Sequence, residues 1–302
     1  MTSTAATSEA GGTPATLVIS DRRVRWEVLV LPLVLVHAVV FVVPLLLFAA
    51  NAFRGMDGPA LVGGDVTLRN FAAVILDGYY QKAFLRSAYL SAATAVVTLV
   101  LGYPVAYLLS RSSALWTRLL LLILISSVFV SLVVRTLGWK TVLDDNGMLG
   151  RLVAAVPLIG GSVKLLSSPL GILVGLVHTE LPFMILILLP VLQSINPSLE
   201  EAAAGLGAGR ALILWKVLLP LSRPGIVAGS LLVFSVSMGL YVPPALLGGN
   251  LVATMPTLIY SEAMVALNYP MAAALSTVLA LVVIATVGAA AWIAARSTRV
   301  LA

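Results

Sequence analysis

The sequence predicts an all-α polytopic membrane protein with six transmembrane helices, and three observations carry that prediction. The 302 residues are 60% hydrophobic and only 10% charged, with a mean hydropathy of +1.08, a balance foreign to ordinary soluble domains. Apolar runs of membrane length recur almost evenly from residue 28 to residue 295, which argues for one membrane-embedded unit rather than two domains. The net charge of +6 comes from basic residues that stand singly at the ends of those runs. That is the positive-inside pattern, not a nucleic-acid-binding cluster.

Residues 1–25, rich in Ala, Thr, Ser and Gly, bury too little to offset ordering entropy and are expected to form a flexible cytoplasmic tail ahead of a permease domain at 26–302. The first span, about 28–50, follows Arg22, Arg23 and Arg25. It is longer than a signal-peptide core of about 7–15 residues, so a spanning helix with its N-terminus inside is expected. Residues 51–87 form a polar connection punctuated by Gly55, Gly58-Pro59 and Gly63-Gly64, with a lateral helix expected over 68–85. The second span, about 88–109, contains Pro104 and should kink there. Arg111 and Arg118 bracket a short turn before the third span, about 119–137, whose Arg135 is near enough to the end to snorkel outward.

A turn-rich connection over 138–169, with Asp144, Asp145, Asn146, Gly147, Pro157 and Gly160-Gly161, leads to the fourth span, about 170–192. The fifth, about 225–240, runs into Tyr241-Val242-Pro243-Pro244. The sixth, about 270–295, follows a loop that holds Glu262. Six crossings place both termini and residues 196–224 on one side. The segments 1–26, 111–118, 193–225 and 296–302 hold ten of the eighteen Lys and Arg residues, against seven in the opposite loops, so that side is expected to be cytoplasmic.

Residues 196–224 are the one polar island long enough to be a docking surface. Asn196 and Ser198 are good N-cap residues, Pro197 suits the first helical position, and Ser198 with Glu201 fits a Ser-x-x-Glu capping box. Glu200 and Glu201 favour the positive end of the helix dipole, and Gly205, Gly207 and Gly209 permit its termination. A second helical run, 211–219, climbs to Pro220.

Glu201-Ala202-Ala203, then Gly207 after three residues, then Val217-Leu218-Leu219-Pro220 after nine more, resembles the E-A-A-x3-G-x9-I-x-L-P loop of ABC importer permeases, with Val in place of Ile. The resemblance implies a coupling helix, a cytoplasmic element that seats in a cleft of a separate ATPase. It names Glu200, Glu201, Ala202, Ala203, Gly207 and Pro220 as coupling residues; the plainer reading is an amphipathic interfacial helix. The stretches Gly102-Tyr103-Pro104-Val105-Ala106-Tyr107, Arg135-Thr136-Leu137-Gly138-Trp139, Leu181-Pro182-Phe183-Met184 and Pro244-Ala245-Leu246-Leu247-Gly248-Gly249 are similar to the spermidine/putrescine branch of type I permeases. The implied fold is the type I importer permease, with both termini cytoplasmic in a bacterial inner membrane. The implied partners are a second, different permease subunit, two ATPase subunits and an external solute-binding protein. ATP and Mg would reside on the ATPase, and this chain would bind no cofactor.

The residues themselves agree with a transport subunit that is not an enzyme. No G-x-x-x-x-G-K-[ST] loop occurs, so ATP hydrolysis must come from elsewhere. Zero cysteines exclude disulfides and thiolate sites, and His37 and His178 lack companions at metal-ligand spacing. Glu180, with His178 and Thr179 beside it, lies in the middle of the fourth span. An intramembrane carboxylate either lines a path for a cationic solute or is a paired or protonated structural group. Ser235, Ser237, Met238, Gly239 and Tyr241 ahead of two prolines read as a gate at a helix break or as close packing through small residues. Tyr241, Glu180 and His178 are the translocation-path candidates. The alternatives are an ion-coupled secondary transporter, which would need an ion site and usually an internal repeat, and a membrane-embedded enzyme, which would need convergent acid, base or metal groups.

Overall fold

The computed structural model describes residues 26–56, 62–154, 164–249 and 251–299. The expected tail at 1–25 and the turn signals Gly58-Pro59, Pro157 and Gly160-Gly161 lie outside them. Contacts divide the chain into residues 1–46 and 47–302. Most of α1, Trp26–Asn51, belongs to the first unit. It is apolar on all sides, and Val34 to Leu47 keep exposed side chains in the single chain, which suits a helix surrounded by lipid or by other helices.

The second unit opens with a hairpin, β1 Arg54–Met56 against β2 Val62–Val66, antiparallel with Arg54 opposite Val66. The Asn70 amide donates to the carbonyls of Ala52 and Arg54, both at 2.9 Å, and so fastens the hairpin to α2, Arg69–Leu76. The single lateral helix expected over 68–85 is therefore split. Asp77 leaves helical geometry and its carboxylate accepts the Tyr79 N–H at 2.8 Å, which starts a new helix. That helix, α3, runs from Gly78 to Arg111, unbroken through Pro104.

The third span also departs from expectation. Helix α4, Ala114–Phe129, ends where Val130 and Ser131 adopt extended backbone, and α5, Leu132–Leu143, leaves at 93° to it. A short α6, Met148–Ala154, follows. Helix α7, Pro169–Ser194, starts from a Ser168 cap whose hydroxyl accepts the Gly171 N–H at 3.1 Å, and it continues through Pro182 and Pro190. Next come α8, Ser198–Gly205, and α9, Arg210–Ile213. A wide π-type turn over Leu214–Leu218 passes directly into α10, Leu219–Gly239. The fifth helix thus begins well before the expected residue 225, with Pro220 in its first turn directly after the π turn.

After Leu240, again extended, a second π-type turn covers Pro244–Gly248. Then α11, Met255–Tyr260, continues through a third over Ser261–Val265, so Glu262 is on helical backbone rather than in a loop. The last described element is α12, Tyr269–Arg299. Among the described residues five helices are long and apolar enough to cross a membrane, or six if the bent α4–α5 pair is one span.

Helix α7 is the central post, packed along α3 and α10. Small residues permit the approach: a Cβ on Gly229 would stand 2.7 Å from the Met184 sulfur, and one on Gly225 would stand 3.0 Å from Val191. Ser222 Oγ donates to the Leu218 carbonyl at 2.7 Å, so the buried Tyr103 hydroxyl donates to Ser222 Oγ at 2.9 Å and ties α3 to α10. A second apolar cluster, around Met238, Met255 and Leu275, joins α10, α11 and α12. A third, around Leu143, Ile172 and Leu247, seats the second π turn beside the start of α7.

Candidate functional site

The polar island folds as a compact, outward helix. The Asn196 side chain accepts the Ser198 N–H at 3.0 Å, Pro197 takes the first turn, and the Leu199 N–H reaches the Asn196 carbonyl. Asn196 is therefore the cap, and the expected Ser198–Glu201 box does not form. At the other end the Ala208 N–H bonds to the Ala203 carbonyl and the Gly207 N–H to that of Ala204, with Gly207 at φ +84°. This is a Schellman closure, and its left-handed residue is the glycine of the motif. It lifts Leu206, 90% exposed, to the tip.

The two glutamates diverge. Glu201 and Ala202 face outward and Ala203 is half-buried, with Gly207 exposed beyond them. Glu200 points back: its Oε1 accepts from Arg111 Nε at 2.9 Å and Nη2 at 2.5 Å, and its Oε2 from the Tyr107 hydroxyl at 2.6 Å. Sequence reading placed Arg111 only in a turn, because nothing local links residues 89 positions apart. Pro220 is half-buried in the first turn of α10, behind the π turn whose widened step the Leu219 N–H makes to the Leu214 carbonyl. Trp215, 68% exposed, Leu212, Leu199 and Leu206 are large apolar side chains left exposed in this stretch.

The path candidates do not form one group. Glu180 is 1% exposed and neither carboxylate oxygen has a hydrogen-bond partner. His178, two residues away, faces outward and meets Trp139 edge-on at 5.6 Å. Thr179 closes its hydroxyl on the Gly175 carbonyl of its own helix at 2.8 Å. Pro182 has no N–H to give to the His178 carbonyl within α7. The charge acting on both Glu180 and His178 is Arg135, whose Nε and Nη1 are buried and without partners. Arg135 stands on α5 beyond the bend, half-buried with Nε and Nη1 shielded, rather than at the end of a straight span as expected. Tyr241 lies elsewhere, at the break after α10, stacked on Tyr260 with ring centroids 4.6 Å apart. Both line a cavity of about 400 Å³ with Pro256, Ile259, Met264 and Leu279.

Comparison with known proteins matches this architecture. Residues 21–299 match the family model described as binding-protein-dependent transport system inner membrane component. The spermidine/putrescine transport system permease protein PotB of Haemophilus influenzae is 30% identical over 234 residues, covering 78% of this chain and 82% of that one. The inner membrane ABC transporter permease protein YdcU of Escherichia coli is 31% identical over 229 residues, covering 71% and 72%. A chain of the bacterial alginate ABC transporter, crystallised with an alginate pentasaccharide-bound periplasmic protein, superposes with a TM-score of 0.71 over 90% of this chain and 94% of its own, at 19% identity. That likeness is one of fold. With nearly the whole chain matched, the protein belongs to the binding-protein-dependent ABC importer permeases, multi-pass subunits of the inner membrane that serve transport.

Proposed function

We propose that this permease carries a small polyamine-like cation, delivered by an external binding protein, and is driven through α8 by a separate ATPase pair. In this reading both termini and residues 196–224 are cytoplasmic, and a second, different permease completes the pathway. ATP and Mg belong to the ATPase subunits. The observation that carries it is the outward face of α8: Glu201, Ala202 and Leu206 are exposed on a helix closed by a Schellman turn, and Leu212 and Trp215 are exposed further along the same loop. An apolar knob rimmed by a carboxylate is suited to a protein cleft.

Solute chemistry rests on the names of relatives such as PotB and on Glu180. A buried carboxylate without hydrogen-bond partners favours a cation. Tyr241 presents an aromatic face at the helix break, which an ammonium group can use. Alternating access follows if ATP-driven closure of the partner pair moves α8 and, with it, the ends of the central helices.

The test is reconstitution with the neighbouring ATPase, permease and binding protein, with a panel of polyamines and amino-acid derivatives. Spermidine or putrescine is expected to stimulate ATP hydrolysis and uptake. Stimulation only by other solutes overturns the polyamine assignment, and uptake that ignores ATP but collapses with the ion gradient overturns the ATP-driven reading.

A further inference from the structure

Helix α8 has no buried residue, so packing does little to hold it against the bundle. Its one side-chain link to the membrane helices, among the described residues, is Glu200. Arg111, the last residue of α3, receives that link and extends it: Nη1 donates to the Leu192 carbonyl and Nη2 to the Ile195 carbonyl, both at 3.2 Å. These acceptors stand at the C-terminal end of α7, where the helix leaves carbonyls unpaired and its dipole is negative. Tyr107, one turn back on α3, holds the second carboxylate oxygen and lies under the guanidinium, 5.8 Å from ring centroid to its carbon. One planar cation thus joins three elements.

The pair is mostly shielded, with side-chain exposures of 21% for Arg111 and 16% for Glu200. Shielding strengthens the contact and makes loss of either partner costly, because the other charge is left unpaired. A lysine cannot reproduce the fork that serves a carboxylate and two carbonyls together.

We infer that Arg111 is a positioning residue, the strut that delivers displacement of α8 to the ends of α3 and α7 at the same time. This rests on the reading of α8 as the coupling helix. Glu201 then meets the ATPase, while Glu200 faces inward and passes the movement on. Without the strut, α8 would move on its chain connections alone and the ATPase cycle would slip against the spans.

Two measurements test it. In the reconstituted complex, with radiolabelled spermidine as probe, R111A and E200Q are each expected to lower uptake per ATP hydrolysed about tenfold, and the double variant no further than either alone. A normal ratio in R111A overturns the strut, and so does a loss confined to E200Q, which would mean that Glu200 acts by touching the ATPase. In the solubilised full-length chain, spin labels at Leu206 and Leu108, both exposed, are expected to give a narrow distance distribution that broadens in R111A. R111K serves if R111A does not fold. An unbroadened distribution overturns the strut even if spermidine is not transported, whereas absence of ATP-driven uptake in the unmodified complex tells against the proposed function instead.

Discussion

At the scale of single residues, Glu180 is buried and Arg135 half-buried, and among the described residues neither Glu180 oxygen and neither Nε nor Nη1 of Arg135 has a hydrogen-bond partner. Their charges act on one another, but these atoms lack a hydrogen bond unless water, a solute or a rearranged helix supplies one. If Glu180 holds the passing ammonium, Glu180→Gln should raise the apparent KM for spermidine uptake about tenfold, since a hydrogen bond to a charged group contributes roughly 1.5–3 kcal/mol. Unchanged apparent affinity would make Glu180 a structural carboxylate. Glu201→Lys should abolish uptake and reduce ATPase copurification; normal uptake would remove α8 as the docking element. Glu180 was visible in the sequence because a carboxylate inside an apolar run needs explanation. Arg135 was placed near the end of a straight span, which the bend after Phe129 replaces.

At the scale of elements, α8 was legible from its caps and its glycine, since those signals act within a turn. The inward turn of Glu200 was not, because it is settled by a partner 89 residues away; nor was the pairing of Arg54–Met56 with Val62–Val66, because Gly55, Gly63 and Gly64 read as turn signals. The break at Val130 and Ser131 carries no glycine or proline to announce it; only Ser126, Ser127 and Ser131 interrupt the apolar run there. Gly207 gives a local test. A β-branched residue at φ +84° is strained by about 1–2 kcal/mol, so Gly207→Val should loosen the α8 closure and lower the amount of ATPase retained on purification. Retention at the normal level would show that the partner does not sense the shape of this turn.

At the scale of the whole molecule, stability depends on close approach among α3, α7 and α10. Gly229→Leu would drive a side chain into Met184, and overpacking of this kind costs about 1–3 kcal/mol. Its thermal unfolding temperature in detergent should fall by several degrees, while Gly239→Ala, with nothing within 4 Å of the added carbon, should leave it in place. Equal behaviour of the two would mean that the α7–α10 contact is not close-packed. The cysteine-free chain also allows topology to be read directly. A cysteine at Leu206 should react with an impermeant reagent only from the cytoplasmic face, and one at Met148 only from the other.

The prolines that α3, α7 and α10 carry without breaking have a mechanical meaning. Pro104, Pro182, Pro190 and Pro224 each remove one rung from the ladder of a central helix. Side chains interlock these helices sideways, but lengthwise each has a seam of lower bending stiffness. A push arriving at their ends would be taken up as flexure at those seams, and the helices could tilt and recover without unlocking the sides that hold them together.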